Sequence, residues 1–217
     1  MATSAAGHTI GGLSFYRRAD AALAVDAIAN GSQHKTIRAM SHPIARSLSR
    51  SKPSAACRLA AVRRSSAFKQ AWPRLPALGI DMSEAYIAEA RRHLKRWCWI
   101  NFIIANGEAI PLEDQSQDAV TSIFMFHELP SEVRRVVFRE LARVLKRGGR
   151  LVLVDSLQIG HEPDYDGMLE LFPQSYHEPY YVSYLREDFG AMATACGLTY
   201  SRDVNAFVSN VMVFDKL

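Results

Sequence analysis

Glycine and acid are missing from a long stretch of this chain. No glycine occurs between Gly31 and Gly79, and no aspartate or glutamate between Asp26 and Asp81. Cysteine is scarce as well. Cys57, Cys98 and Cys196 are scattered with no CxxC and no zinc-ligand spacing, which excludes a disulfide scaffold, and no metal-ligand set is expected. No stretch approaches the roughly 18 consecutive apolar residues of a membrane-spanning helix, so no transmembrane segment is expected. Met1–Gly12 has neither a basic start nor an apolar block, so no secretory signal is read there. What is present suits a globular protein: 217 residues, 48% hydrophobic and 22% charged. That is enough for one domain with a short appendage, and too apolar for disorder throughout.

Charge divides the chain. Residues 1–80 carry 12 Lys+Arg against Asp20 and Asp26, a net of +10, whereas residues 81–217 carry 14 against 20, a net of −6. Ser and Arg dominate stretches such as A-R-S-L-S-R-S-K at 45–52. Such composition fits an organelle transit segment, a basic arm on nucleic acid, or a solvated lead-in. Asp20 and Asp26 count against a transit segment, and the lead-in reading carries most weight. Nucleic acid is therefore not the expected partner. The expected location is cytoplasmic, with organelle targeting through the basic segment as the alternative. Ala22, Val25, Ile28 and Ala29 recur at helical spacing and predict a helix over Arg18–Asn30. The expected organisation is a basic N-terminal segment with short helices over 1–54, followed by one domain over 55–217.

The second half alternates strands and helices. Leu75–Ile80, closed by Asp81, reads as a buried strand, and Ser83 caps a helix through about Lys95 with Glu84 early and arginines late. Trp99–Ala105 and Asp118–Phe124 read as strands. Ser131–Lys146 reads as an amphipathic helix with Val133, Val137, Leu141, Val144 and Leu145 on one stripe and charges opposite. Gly148-Gly149 is expected to stop that helix before a strand at Arg150–Asp155. Glu187–Cys196 is a helix, and Leu198–Arg202 and Ala206–Phe214 are strands separated by Asp203–Asn205. Units of this kind indicate a parallel sheet covered on both faces.

Ligands of such sheets bind beyond the carboxyl ends of the strands. Asp81 there can accept hydrogen bonds from both hydroxyls of a ribose. The side-chain oxygen of Asn106 can receive an exocyclic amine, while the Gly107 N–H faces a ring nitrogen. Phe124-Met125-Phe126 forms an apolar wall ending in His127 and Glu128. An acid, an amide and an apolar wall in successive loops make a nucleoside site. Glu108 is read as ordering its own loop, Asp118 as fixing a strand entrance, Glu128 as structural, and Trp97 and Trp99 as core residues. The segment F-P-Q-S-Y-H-E-P-Y-Y-V-S-Y at 172–184 is dense in aromatics, and reads either as a substrate-facing lid or as a cover over the sheet end.

The blocks G-I-D-M-S (79–83), A-N-G-E-A-I-P (105–111), D-A-V-T-S-I-F-M-F-H-E-L (118–129) and L-K-R-G-G-R-L-V-L-V-D (145–155) resemble a class I S-adenosylmethionine-dependent methyltransferase. The similarity is to the small-molecule branch called type 11, which includes quinone-biosynthesis enzymes, and it covers about residues 70–217. It implies a Rossmann-like α/β fold with a mostly parallel seven-stranded sheet and an antiparallel C-terminal hairpin. It implies S-adenosyl-L-methionine as cofactor and a small-molecule acceptor. It places Asp81 on the ribose, Met82 against the adenine, Asn106 and Gly107 on the adenine edge, and Phe124 and Met125 along the cofactor. His127 would act as a base where the acceptor must lose a proton, and Tyr176, His177 and Tyr180 would face the acceptor. Arg147 stands where the family has proline. The family's first strand also ends in an acid followed by a G-x-G loop. Counting back from Asp81, that place falls on A-A-C-R-L-A-A-V-R-R-S-S-A-F at 55–68, with Arg58–Val62 as the strand and Arg63-Arg64-Ser65-Ser66 replacing the loop. Two functions follow: methyl transfer, or a non-catalytic methyltransferase-like subunit that binds a partner.

Overall fold

The computed structural model describes the backbone of residues 12–16 and, in full, residues 76–96, 98 and 100–217. The helix expected at 18–30, the strand and loop expected at 58–66, and Trp97 and Trp99 lie outside the described residues. Seven strands form one sheet in the order β3-β2-β1-β4-β5-β7-β6, where β1 is Gly12–Tyr16, β2 Ala77–Asp81, β3 Ile100–Ile104, β4 Gln117–Ile123, β5 Leu145–Ser156, β6 Leu198–Ala206 and β7 Ser209–Lys216. β2 pairs in parallel with β3, and β4 with β5. β7 runs antiparallel to both β5 and β6, which gives the expected closing hairpin.

The centre of the sheet departs from expectation. Gly12–Tyr16 lies between β2 and β4 and runs antiparallel to both, pairing Leu13 with Ile80 and Gly12 with Ile123. Because one reversed strand joins them, β2 and β4 still point the same way. The sheet thus draws on sequence from both sides of residue 54.

Among the described residues five α-helices accompany it: α1 Glu84–Leu94, α2 Ser131–Val144, α3 Pro163–Ser175, α4 Tyr181–Tyr184 and α5 Phe189–Ala195. The Ser83 side chain accepts from the Tyr86 N–H and caps α1, with Glu84 in the first turn and Arg91, Arg92 and His93 in the last. α1 buries Ile87 and Leu94. Along β5, Leu151 and Leu153 enter the main core with Val137, Phe138 and Leu141 of α2, while Val152 and Val154 join a second apolar cluster with Val211 and Val213. Both faces of β5 are therefore covered, and each fully buried Leu or Val contributes roughly 1.5–3 kcal/mol.

Three expectations are corrected. α2 ends at Val144, ahead of the glycine pair, and β5 begins at Leu145; the four residues Lys146–Gly149 are accommodated in the register shift opposite Gln117–Ala119. The hairpin turns at Phe207-Val208, not at Asp203–Asn205, because those polar residues stay paired in β6 and Asn205 donates to the His161 carbonyl. The charged face of α2 is not wholly outside: Arg134 is fully buried.

Gly149 is needed where it stands. A Cβ there would lie 2.8 Å from the Lys146 carbonyl oxygen and 3.1 Å from that of Asp118, backbone atoms with little freedom to yield. Gly149→Ala is expected to cost about 1–3 kcal/mol, read as a lower urea midpoint. An unchanged midpoint would mean that the bulge relaxes freely.

Candidate active site at the carboxyl edge

β2, β3, β4 and β5 all end on one edge, so the chain delivers Asp81, the loop 105–108, Phe124–Glu128 and Asp155 to the same side of the sheet. Asp81 is 8% exposed, and its Oδ1 accepts from the Ser83 N–H at 2.7 Å. Among the described residues its other oxygen takes no side-chain or backbone donor. Burial pushes the Asp81 carboxyl up to about 6, against the lowering by the Ser83 hydrogen bond. Met82 is half exposed beside it. The next loop leaves β3 with the Ala105 N–H on the Asp81 carbonyl. Asn106 is exposed and shapes its own turn, its Oδ1 accepting from the Glu108 N–H at 3.0 Å while its Nδ2 donates to the Glu108 carboxylate. Gly107 sits in that turn.

The third loop is tied down differently. Phe124 has φ +50°, a left-handed conformation uncommon for a bulky residue, and its N–H donates to the Val154 carbonyl at 2.7 Å. That sharp turn carries the chain across the end of β5, where the Asp155 carboxylate is 1% exposed as a residue. Asp155 Oδ2 accepts from the backbone N–H groups of Met125 and Phe126 at 3.2 and 2.8 Å. Its Oδ1 accepts from the Ser156 N–H at 2.8 Å and meets His127 Nδ1 at 2.5 Å. Met125 is accordingly turned into the main core rather than along the open edge, a correction to its expected place beside a cofactor. Phe124 is partly exposed and stands edge-on to the His127 ring.

His127 is the hub. Burial alone lowers its pKa, but the charge and hydrogen bond of Asp155, with Glu128 adding to them, outweigh that and push it up to about 10. Its Nε2 lies 3.4 Å from Glu128 Oε1. The carboxylate held on Nδ1 therefore favours the protonated ring. Tyr181 and Tyr184 present their rings edge-on at 6.0 and 6.1 Å. The Tyr181 hydroxyl meets Ser156 Oγ and the Tyr184 hydroxyl donates to the Ser156 carbonyl, each at 2.5 Å.

Of the acceptor-facing residues expected from the sequence, none joins this hub. His177 is exposed, Tyr180 is 40% exposed, and Tyr176 stacks on Phe172 at 4.7 Å. The short turn of α4 faces Tyr181 and Tyr184 inward instead. Glu178 does approach: burial, reinforced by the charge of Glu128, pushes its carboxyl up to about 7. Asp155, Tyr181, Tyr184 and Glu178 are thus the site residues that spacing did not mark.

An open α/β sheet with an acid, an amide turn and an apolar loop at successive carboxyl ends, closed by a reversed hairpin, defines a class I methyltransferase fold. Comparison with known proteins agrees. A family model described as a methyltransferase domain, of type 11, matches residues 61–153. Demethylmenaquinone methyltransferase of Thermotoga maritima is 38% identical over 89 residues, which are 41% of this chain and 37% of that protein. Two solved structures share the fold. A Pyrococcus horikoshii protein gives a TM-score of 0.54 at 19% identity, over 72% of this chain and 78% of its own. An O-methyltransferase family protein from Burkholderia thailandensis gives 0.57 at 12%, over 70% and 47%. Over those matched residues the chain is similar to methyltransferase domains of type 11. It spans 37% of the length of the Thermotoga relative.

Proposed function

We propose that this chain binds S-adenosyl-L-methionine at the carboxyl edge and transfers its methyl group to a small-molecule acceptor. The observation that carries this reading is Asp81, a buried carboxylate at the end of β2 with one oxygen to which no described residue donates. A ribose diol supplies two such donors, and the Asn106–Gly107 turn at the end of β3 stands where an adenine edge would follow. These residues fit the nucleoside half of the cofactor. The cofactor supplies an electrophilic methyl on a sulfonium, which passes in line to an acceptor nucleophile while the sulfur keeps the bonding pair. The chain's own part is to orient the partners and exclude water. His127, fixed by Asp155, stands edge-on to Phe124 and helps to shape this edge. The Thermotoga relative's name points to a quinone-like aromatic acceptor, and the partly exposed Phe124 ring at this edge suits one.

Calorimetry with S-adenosylhomocysteine tests the reading. Losing two hydrogen bonds to a charged acceptor in Asp81→Asn should weaken binding about a hundredfold. Because the folded pKa of Asp81 lies above its unfolded value of 3.8, ionisation opposes folding as pH rises from 3.8 through about 6. Asp81→Asn should therefore stabilise the ligand-free protein at pH 7.5, by up to about 2–3 kcal/mol, while abolishing tight binding. The wild-type affinity should fall as pH drops below about 6, up to tenfold per unit. Equal affinity in wild type and variant would remove Asp81 from the site.

The second reading, a non-catalytic binding subunit, is favoured by the reversed β1: among the described residues the strand between β2 and β4 has its carboxyl end on the opposite edge. It would be carried by wild-type protein that fails to bind S-adenosylhomocysteine at about 1 mM.

A further inference from the structure

Three carboxylates converge on one imidazole in the last loop of the site. His127, Glu128 and Glu178 each offer one ligand atom, and the three atoms lie within 4.8 Å of one another. The His127 and Glu128 side chains are only 12% and 7% exposed, and the pair stands 3.4 Å apart. Among the described residues Glu128 has no ion-pair partner but His127, and Glu178 Oε2 is a buried oxygen with no hydrogen-bond partner at all. Behind them Asp155 grips His127 Nδ1 at 2.5 Å, so that Nε2 is the nitrogen presented to the two glutamates.

We infer that His127 Nε2, Glu128 and Glu178 form a binding site for a first-row transition-metal dication, with Asp155 as the residue that orients the histidine. One imidazole and two carboxylates are a nitrogen–oxygen set suited to manganese, iron, cobalt or zinc rather than to calcium or magnesium, which favour oxygen alone. Bond lengths of about 2.0–2.2 Å put tetrahedral ligand atoms roughly 3.3–3.6 Å apart. The His127–Glu128 separation already has that value, and the Glu178 oxygen, within 4.8 Å of both, reaches it by a side-chain shift. A carboxylate on the far nitrogen of a ligating histidine is the usual second partner of such sites. The ion takes the place of the proton on Nε2, which leaves to solvent, and it gives the orphaned Glu178 oxygen a partner. The spacing of the sequence conceals the set, because Glu178 comes from the segment before α4, fifty residues after Glu128. The assignment is independent of methyl transfer, since ion binding is read without cofactor.

The test uses the full chain, stripped by a chelator and titrated with cobalt(II) at pH 7.5. Calorimetry gives affinity, and the visible ligand-field bands report imidazole and carboxylate coordination. The expected result is saturable binding with such bands, weakened about tenfold or more in both Glu178→Gln and Glu128→Gln. Each variant is checked for folding by its urea midpoint. Asp155→Asn should weaken the ion although it alters none of the three ligand residues, because the histidine and its loop lose the carboxylate that holds them. Absence of binding at about 1 mM cobalt overturns the inference. So does equal affinity in a folded Glu178→Gln, which would put the ion on another histidine.

Discussion

Replacing Arg134 with methionine is expected to cost about 3–5 kcal/mol of folding stability, a large share of the whole for a single domain. The residue has no solvent-exposed surface, yet each of its donor nitrogens is used. Nε donates to the Phe126 carbonyl at 2.8 Å, Nη1 to Glu187 at 3.0 Å, and Nη2 to the Tyr180 carbonyl and Ser183 Oγ at 2.7 and 2.9 Å. The guanidinium also lies 5.7 Å from the centre of the Tyr184 ring. One side chain of α2 thereby pins the loop at 126, the turn of α4 and the approach to α5. Methionine fills much of the volume but leaves two carbonyls and one carboxylate without their donor. Glu187 keeps Ser131 and a longer contact with Arg135, which limits the loss. Urea denaturation of Arg134→Met measures it. Adding Glu187→Leu should recover part of the stability, because a buried pair removed together costs less than half a pair. A single-variant loss below about 1 kcal/mol would show that water enters and replaces the guanidinium.

Asp155→Asn should cost a comparable amount, about 3 kcal/mol, although the side chain keeps its shape. Four donors point at the carboxylate: the N–H groups of Met125, Phe126 and Ser156, and His127 Nδ1. An amide has one acceptor atom. Whichever way it is turned, its own N–H₂ faces donors, either the Met125–Phe126 pair or Ser156 with the imidazole. The loop after β4 should then open, and amide exchange at Met125 and Phe126 should speed up about a hundredfold while exchange in β7 follows only the global loss. His127 would lose its main opposing charge, and its pKa would fall back. Protection at 125 and 126 that matches wild type would mean the Phe124 turn holds the loop unaided.

The alternation of strands and helices from residue 77 onward was legible because each apolar run is short and each amphipathic helix is bounded by a cap or a turn. Ser83 and Asp188 both act as N-caps, and each stands before its helical run in the sequence. The edge position of Asp81 followed from the rule for open sheets. The His127–Asp155 pair did not, since the two residues are 28 apart and Asp155 reads simply as the end of a strand. Tyr180 and Tyr181 are neighbours of one type, and only the direction of a four-residue helix decides which is 40% and which 3% exposed. One missed signal was available. Arg134, Val137, Leu141 and Val144 share helical spacing, so a charged residue on the apolar stripe marked a buried, fully partnered cation. The hairpin turn was misplaced because Asp203 and Asn205 look like loop residues, whereas Phe207, with φ +61°, is the position that bends.

The reversed central strand has a consequence for the order of assembly. β1 joins β2 across 61 positions of chain at Tyr16–Ala77 and β4 across 111 at Gly12–Ile123. Both closures are remote, while β2 with α1 and β3, β4 with β5, and the β6–β7 hairpin are built from nearer neighbours. Loop-closure entropy delays the remote contacts, so the two halves form first and meet only when the N-terminal strand slides between them. Until then β2 and β4 each expose an unpaired edge in what becomes the middle of the sheet, the kind of edge that captures strands from other molecules. The protein's yield on refolding is thus governed by the residence of five residues near its beginning, competing with intermolecular pairing in proportion to concentration.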